Sequence, residues 1–176
     1  MSLPKAFRVF AALALALTLT ACFRPLYGPT ASGERLNDVL AAIDVAEITA
    51  TPESERFSHY LRSELVYDLN GSGQAAAKRY KLALAFAQRL ESPIVDTATG
   101  RAQAATLIGD VTYTLTSLDG SKVVTSGKAT ASASYDRSAQ RFATVRAARD
   151  ADIRLAKVLS EQIRTRISAA LASGAV

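Results

Sequence analysis

Apolar positions change their spacing several times along the chain, and each change predicts an element. Between Val39 and Thr49, Ile43 and Val45 fall on one side and Asp44 on the other, which predicts a strand. Phe57, Leu61, Leu65 and Leu69 then recur at spacings of four, with Tyr60 beside them, as one stripe of a helix. Thr51-Pro52-Glu53 supplies its start: a capping hydroxyl, a proline suited to the first helical position, and an acid at the positive end of the dipole. Asn70-Gly71 ends it, and Ser72-Gly73 extends the turn.

The period then drops to two. Tyr80, Leu82, Leu84 and Phe86 alternate with Lys81, Ala83, Ala85 and Ala87. After a loop from Glu91 to Gly100, Val111, Tyr113 and Leu115 alternate with Asp110, Thr112, Thr114 and Thr116. Asp119-Gly120 is a hairpin signal. The next strand, Lys122 to Tyr135, puts Val123, Thr125, Gly127, Ala129, Ala131 and Ala133 on one face. Side chains this small fit under a helix, and they also leave room for a partner's backbone. From Phe142 to Ala172 the pattern is helical again. Val145, Ala148, Asp152, Leu155, Leu159, Ile163, Ile167 and Leu171 form the stripe, with most arginines off it.

The predicted order is β-α-β-β-β-α. A sheet with one apolar face needs cover, and two amphipathic helices supply it. The expected fold is α+β: a two-layer sandwich, with a four-stranded sheet covered on one face by two helices. The domain spans residues 38–176, with no internal repeat.

The start of the chain reads differently. Lys5 and Arg8 precede an apolar run, Val9 to Leu19, that is shorter than the ~20 residues of a membrane span. Leu19-Thr20-Ala21-Cys22 has the form of a lipoprotein cleavage site. Residues 1–21 are therefore expected to be a signal peptide, Cys22 the lipidated first mature residue, and residues 22–37 a tether or arm. The chain holds no other cysteine, so disulfide staples are excluded. One acyl chain anchors only marginally, and a triacylated end suits stable attachment. Phe23 rather than Asp follows Cys22, which under the sorting rule of Gram-negative lipoproteins points to the outer membrane, on its periplasmic side.

Charge and chemistry add mainly exclusions. The formal net charge is +5, and removing Lys5 and Arg8 takes two positive charges away. That mild excess, without a basic and aromatic RNA-binding signature, does not argue for nucleic acid. His59 is the single histidine, set on the first helix as a surface or boundary residue. Nucleophilic catalysis and metal binding have little material here. Gly71-Ser72-Gly73-Gln74-Ala75-Ala76 fits a dinucleotide string, but it follows a helix and leads into a strand, the reverse of the required order. No enzyme, cofactor or metal is expected.

Cys22-Phe23-Arg24-Pro25-Leu26-Tyr27-Gly28 resembles the start of the alphaproteobacterial LPS-assembly lipoproteins, the E component of the lipopolysaccharide transport machine. That family often has a Gly between the Cys and the Phe, which this chain lacks. Ser126-Gly127-Lys128, Ala131-Ser132-Ala133-Ser134-Tyr135, Phe142-Ala143-Thr144, Ala148-Arg149-Asp150-Ala151 and Glu161-Gln162-Ile163-Arg164-Thr165-Arg166 resemble the same family in order and spacing. The resemblance implies four strands and two helices. It implies a plug inside the large outer-membrane β-barrel that translocates lipopolysaccharide, helping that barrel assemble, and it implies lipopolysaccharide binding. Candidate lipopolysaccharide contacts are Arg101, Lys122, Arg141 and Arg146, since Arg suits phosphate and element ends carry contacts. Phe23, Arg24, Pro25, Leu26 and Tyr27 are candidate contacts to the barrel or membrane. The alternative is a free-standing periplasmic lipoprotein that binds or carries a lipid in an apolar cavity between sheet and helices.

Overall fold

The computed structural model describes residues 30, 33–52, 54–71, 76–92, 100 and 102–174. The signal segment, Cys22, Phe23 to Tyr27 and Arg101 lie outside the described residues. The elements are α1 (Leu36–Ala41), β1 (Ile43–Val45), α2 (Glu55–Asn70), β2 (Tyr80–Glu91), β3 (Ala104–Ser117), β4 (Val123–Asp136) and α3 (Arg141–Ala172). The strands form one sheet in the order β1-β2-β3-β4. β1 runs parallel to β2, and the other neighbours are antiparallel.

The α+β class and the sheet covered by helices are as expected. Three local readings are corrected. The stretch from Val39 to Thr49 is not one strand: α1 occupies Leu36–Ala41, and only Ile43–Val45 is extended and paired. Leu36, Val39 and Leu40 are buried at helical spacing, so three apolar side chains reach the core from a single turn and a half. The second helix also starts later, at Glu55. Thr51 does not cap it; instead the Ser54 amide donates to the Thr51 carbonyl at 3.0 Å, closing a turn before the helix.

One hydrophobic core lies between the sheet and the helices, and every described member falls between Leu36 and Leu171. Phe57, Leu61, Leu65 and Leu69 of α2 are buried, and the Phe57 ring meets Phe86 of β2 at 5.3 Å between centroids. α3 lies over β3 and β4, and the small face of β4 sits beneath it. A Cβ on Gly109 would come within 3.1 Å of Leu159 of α3. Gly127 makes room for the buried Tyr113, whose hydroxyl would lie 2.7 Å from an added Cβ. Val123, read as part of that inner face, is instead 60% exposed, while Val124 is buried. A bulge opposite Leu115 and Thr116 inserts Val124 and reverses the alternation at that point.

α2 and α3 both run antiparallel to the strands that flank them, so they are parallel to each other. Arg56 at the start of α2 pairs with Asp152, twelve residues into α3, and Asp68 and Ser160 pair further along both. The molecule thus has two distinct ends. One holds both helix N-termini, the end of β2 and the start of β3. The other holds Thr30, the Glu34–Arg79 ion pair at 3.0 Å, and the β3–β4 hairpin.

Candidate functional site

α3 is a continuous helix of 32 residues, roughly 48 Å long. Its Arg154 donates to the Ser134 carbonyl at 2.9 Å, and its Gln162 to the Thr130 carbonyl at 3.2 Å. These bonds register α3 against the open edge of β4 and satisfy edge carbonyls there. Extrapolated at 1.5 Å per helical residue against about 3.3 Å per strand residue, the sheet ends near residue 150 of the helix. The first turns therefore project past the sheet. Burial begins at Ala151, whereas Phe142 is 87% exposed and Val145 is 54% exposed. Val145 was expected to be part of the buried stripe. It keeps the helical spacing but has no sheet beneath it.

The start of the projection is fixed by a local loop. Thr144 Oγ1 donates to the Ser138 carbonyl and accepts from the Ser138 amide, both at 3.1 Å. Arg149 Nε donates to the Tyr60 hydroxyl at 2.8 Å, and Arg154 pairs with Asp150 at 2.8 Å. Arg141 and Arg146 are exposed, and among the described residues neither meets a carboxylate. Behind the projection, Asp152 is only 5% exposed and accepts from Gln88 at 3.0 Å and from Arg56 at 3.1 Å. This network joins β2, α2 and α3 where cover begins.

Of the candidate contacts, Arg141 and Arg146 therefore come together at one end. Arg137, just past β4, is held at the same end by its amide's bond to the Gln103 carbonyl at 2.8 Å. Lys122 sits in the hairpin at the opposite end, a 14-residue strand away, or roughly 46 Å. There, hydrogen bonds from Ser117 and then Ser121 hold the Asp119 carboxyl down to about 2. The sequence reading passed over Phe142 and Arg149 as candidates. Neither carries a sequence signal of its own, because only the position of the sheet's end shows that both lie beyond it.

The second feature is the face of the sheet that no helix covers among the described residues. The register aligns its outward side chains in rows: Ala83, Thr114 and Ser126; Ala85, Thr112 and Lys128; Ala87, Asp110 and Thr130; Arg89, Ile108 and Ser132. Eight of these twelve are Ala, Ser or Thr, so most of the face is low and offers hydrogen bonds, with Lys128, Asp110, Arg89 and Ile108 standing above it. Asp110 accepts from Arg89 at 2.6 Å and from Thr130 at 2.7 Å, and Thr106 and Ser134 bond at 2.9 Å. The Thr130 hydroxyl, then Arg89, hold the Asp110 carboxyl below the usual carboxylate range.

His59 is exposed on α2, on a groove of about 750 Å³ shared with Glu47, Glu55 and Arg62. Among the described residues no cluster of metal-ligand side chains forms, and no helix is long and apolar enough to cross a membrane.

A protein-family model for lipopolysaccharide assembly, LptE, matches residues 40–167. No curated protein matches the chain. Among solved structures, the chain is similar to a putative lipoprotein from Caulobacter crescentus, at 21% identity and a TM-score of 0.61, covering 79% of this chain and 96% of that one. It is also similar to the rare lipoprotein B of Shewanella oneidensis, at 16% identity and a TM-score of 0.43, covering 72% of this chain and 98% of that one. The Caulobacter likeness shows the fold. The family match, which spans well over half of the chain, shows the family.

Proposed function

The chain belongs to the LptE lipopolysaccharide-assembly family, and from that premise we propose that it is an outer-membrane lipoprotein that plugs the lipopolysaccharide-translocating β-barrel, assists its assembly and binds lipopolysaccharide. Its general role is in lipopolysaccharide assembly in the cell envelope, within a family of non-enzymatic lipoproteins. The observation that carries the plug reading is the uncovered sheet face. A barrel lumen is polar and hydrogen-bonding. A surface rich in Thr, Ser and Ala, whose Asp110 is paired with Arg89 and whose Lys128 can reach an acceptor from its flexible stem, offers such a wall hydrogen bonds over most of its area.

In this reading Cys22 carries the lipid and holds the chain on the periplasmic side of the outer membrane. Phe23, Arg24, Pro25, Leu26 and Tyr27 meet the membrane or the barrel wall. Arg141 and Arg146, with Arg101 and Lys122 as further candidates, meet lipid phosphates, where the guanidinium fork suits the planar geometry. The free-standing carrier finds less support. The layer between sheet and helices is filled by Phe57, Leu61, Leu65, Leu155, Leu159 and Ile163, each at most 1% exposed.

The test is a pull-down of the tagged chain from gently solubilised outer membranes, with the partner identified by mass. A stoichiometric large β-barrel is the expected result. A lipidated chain that comes down alone would contradict the plug reading.

A further inference from the structure

The projecting turns of α3 carry two kinds of exposed side chain in one place. Phe142, Arg146, Arg149 and Ile153 recur at spacings of four, three and four, which sets them on one face of the helix. They line a shallow groove of about 500 Å³ together with Asp150. Phe142 is 87% exposed and Ile153 38%, and Val145 flanks them at 54%. The exposed apolar side chains thus flank two arginines along one helix face, and an exposed face of this mixed kind suits a binding surface. Its charge is positive. The single acid in the groove, Asp150, is already bonded to Arg154 at 2.8 Å. Arg149 spends its Nε on the Tyr60 hydroxyl, which fixes the guanidinium and leaves its terminal nitrogens to be offered.

From these observations we infer that the groove binds a phosphorylated acyl lipid, with phosphate on Arg146 and Arg149 and an acyl chain along Phe142, Val145 and Ile153. Neither half suffices alone. An inorganic phosphate leaves the apolar side chains in water, and an apolar peptide leaves two arginines without counter-charge. An amphiphile with an anionic head matches both, as basic and apolar side chains do together at lipid surfaces. The inference rests on the lipid-binding part of the proposed function, and it adds the apolar half of the site and Arg149.

The experiment uses the chain from residue 22 onward with Cys22→Ser, which keeps every described element and lacks the acyl anchor that would itself bind lipid. Flotation with phosphatidylcholine vesicles, plain or doped with lipid A, measures binding. This chain, with no further substitution, is expected to bind doped vesicles only, and less as salt rises. Phe142→Ser and Arg146→Glu should each weaken binding about tenfold or more. Both positions are exposed, so folding is not at stake. Glucosamine phosphate, a head group without chains, should not compete. Wild-type affinity in Phe142→Ser, or full competition by glucosamine phosphate, would overturn the amphiphile site. Either result leaves the barrel pull-down untouched, and a chain without a barrel partner would leave vesicle binding standing.

Discussion

Ala151–Leu171 and Arg141–Asp150 belong to one unbroken helix with one continuous apolar spacing, and they meet opposite fates. In the first stretch Leu155, Leu159, Ile163 and Ile167 are wholly buried over β3 and β4. In the second, Val145 continues the same stripe into solvent. The helix is 32 residues long, whereas the strand it follows has 14. At 1.5 Å and about 3.3 Å per residue the two elements would match closely in length if they were aligned end to end. They are not, because the bonds from Arg154 and Gln162 set the helix forward of the strand. Periodicity specifies a helix and its apolar side. It does not specify where the cover stops, and a stripe that outruns its cover becomes a surface.

The comparison breaks most sharply at the middle of the covered stretch. Leu159→Asp would place an unpaired charge in the core and cost about 4 kcal/mol or more, enough to leave the domain unfolded at ordinary temperature. Loss of the cooperative thermal transition checks this, and a normal melting curve would refute the assignment of the covered stripe. At the boundary, Asp152→Ala removes the acceptor of the Gln88 amide, while the half-exposed Arg56 turns to water. The expected loss is about 1–3 kcal/mol, read from denaturant midpoints, and Asp152→Asn should recover part of it by keeping an acceptor for Gln88. On the projection, Val145→Asp should change stability by no more than about 0.5 kcal/mol, since the position is exposed near the helix start and no buried group is left unpaired. A loss comparable with that of Leu159→Asp would show that the projection is covered after all.

Much of this architecture was legible in the sequence, and the exceptions share a cause. The α2 stripe from Phe57 to Leu69 and the inward faces of β2 and β3 follow directly from spacing, because long elements repeat their signal. α1 was hidden because its apolar residues, Leu36, Val39 and Leu40, span too few positions to separate a helix from the strand that follows. The bulge at Val124 was invisible because two adjacent valines fit either alternation, and the partner strand decides between them. The candidate site was half legible. Arg141 and Arg146 stand out by charge, while Phe142 and Arg149 gain meaning only once the end of the sheet is located. Lys122 looks equivalent to them in sequence, yet the hairpin holds it at the far end of the molecule.

The sheet shows the same contrast between covered and open. Its inner face is built of Leu, Val, Phe and Tyr on β2 and β3 and of Gly and Ala on β4 under helices, and its outer face is mostly Thr, Ser and Ala, with no helix over it among the described residues. The most direct measurement of the central claim is site-specific photo-crosslinking in intact outer membranes from Thr112, at the middle of that open face. The expected result is a single adduct with a large β-barrel at Thr112. No barrel adduct at Thr112, in cells where the chain is present and lipidated, would contradict the claim that this face lies against a barrel wall.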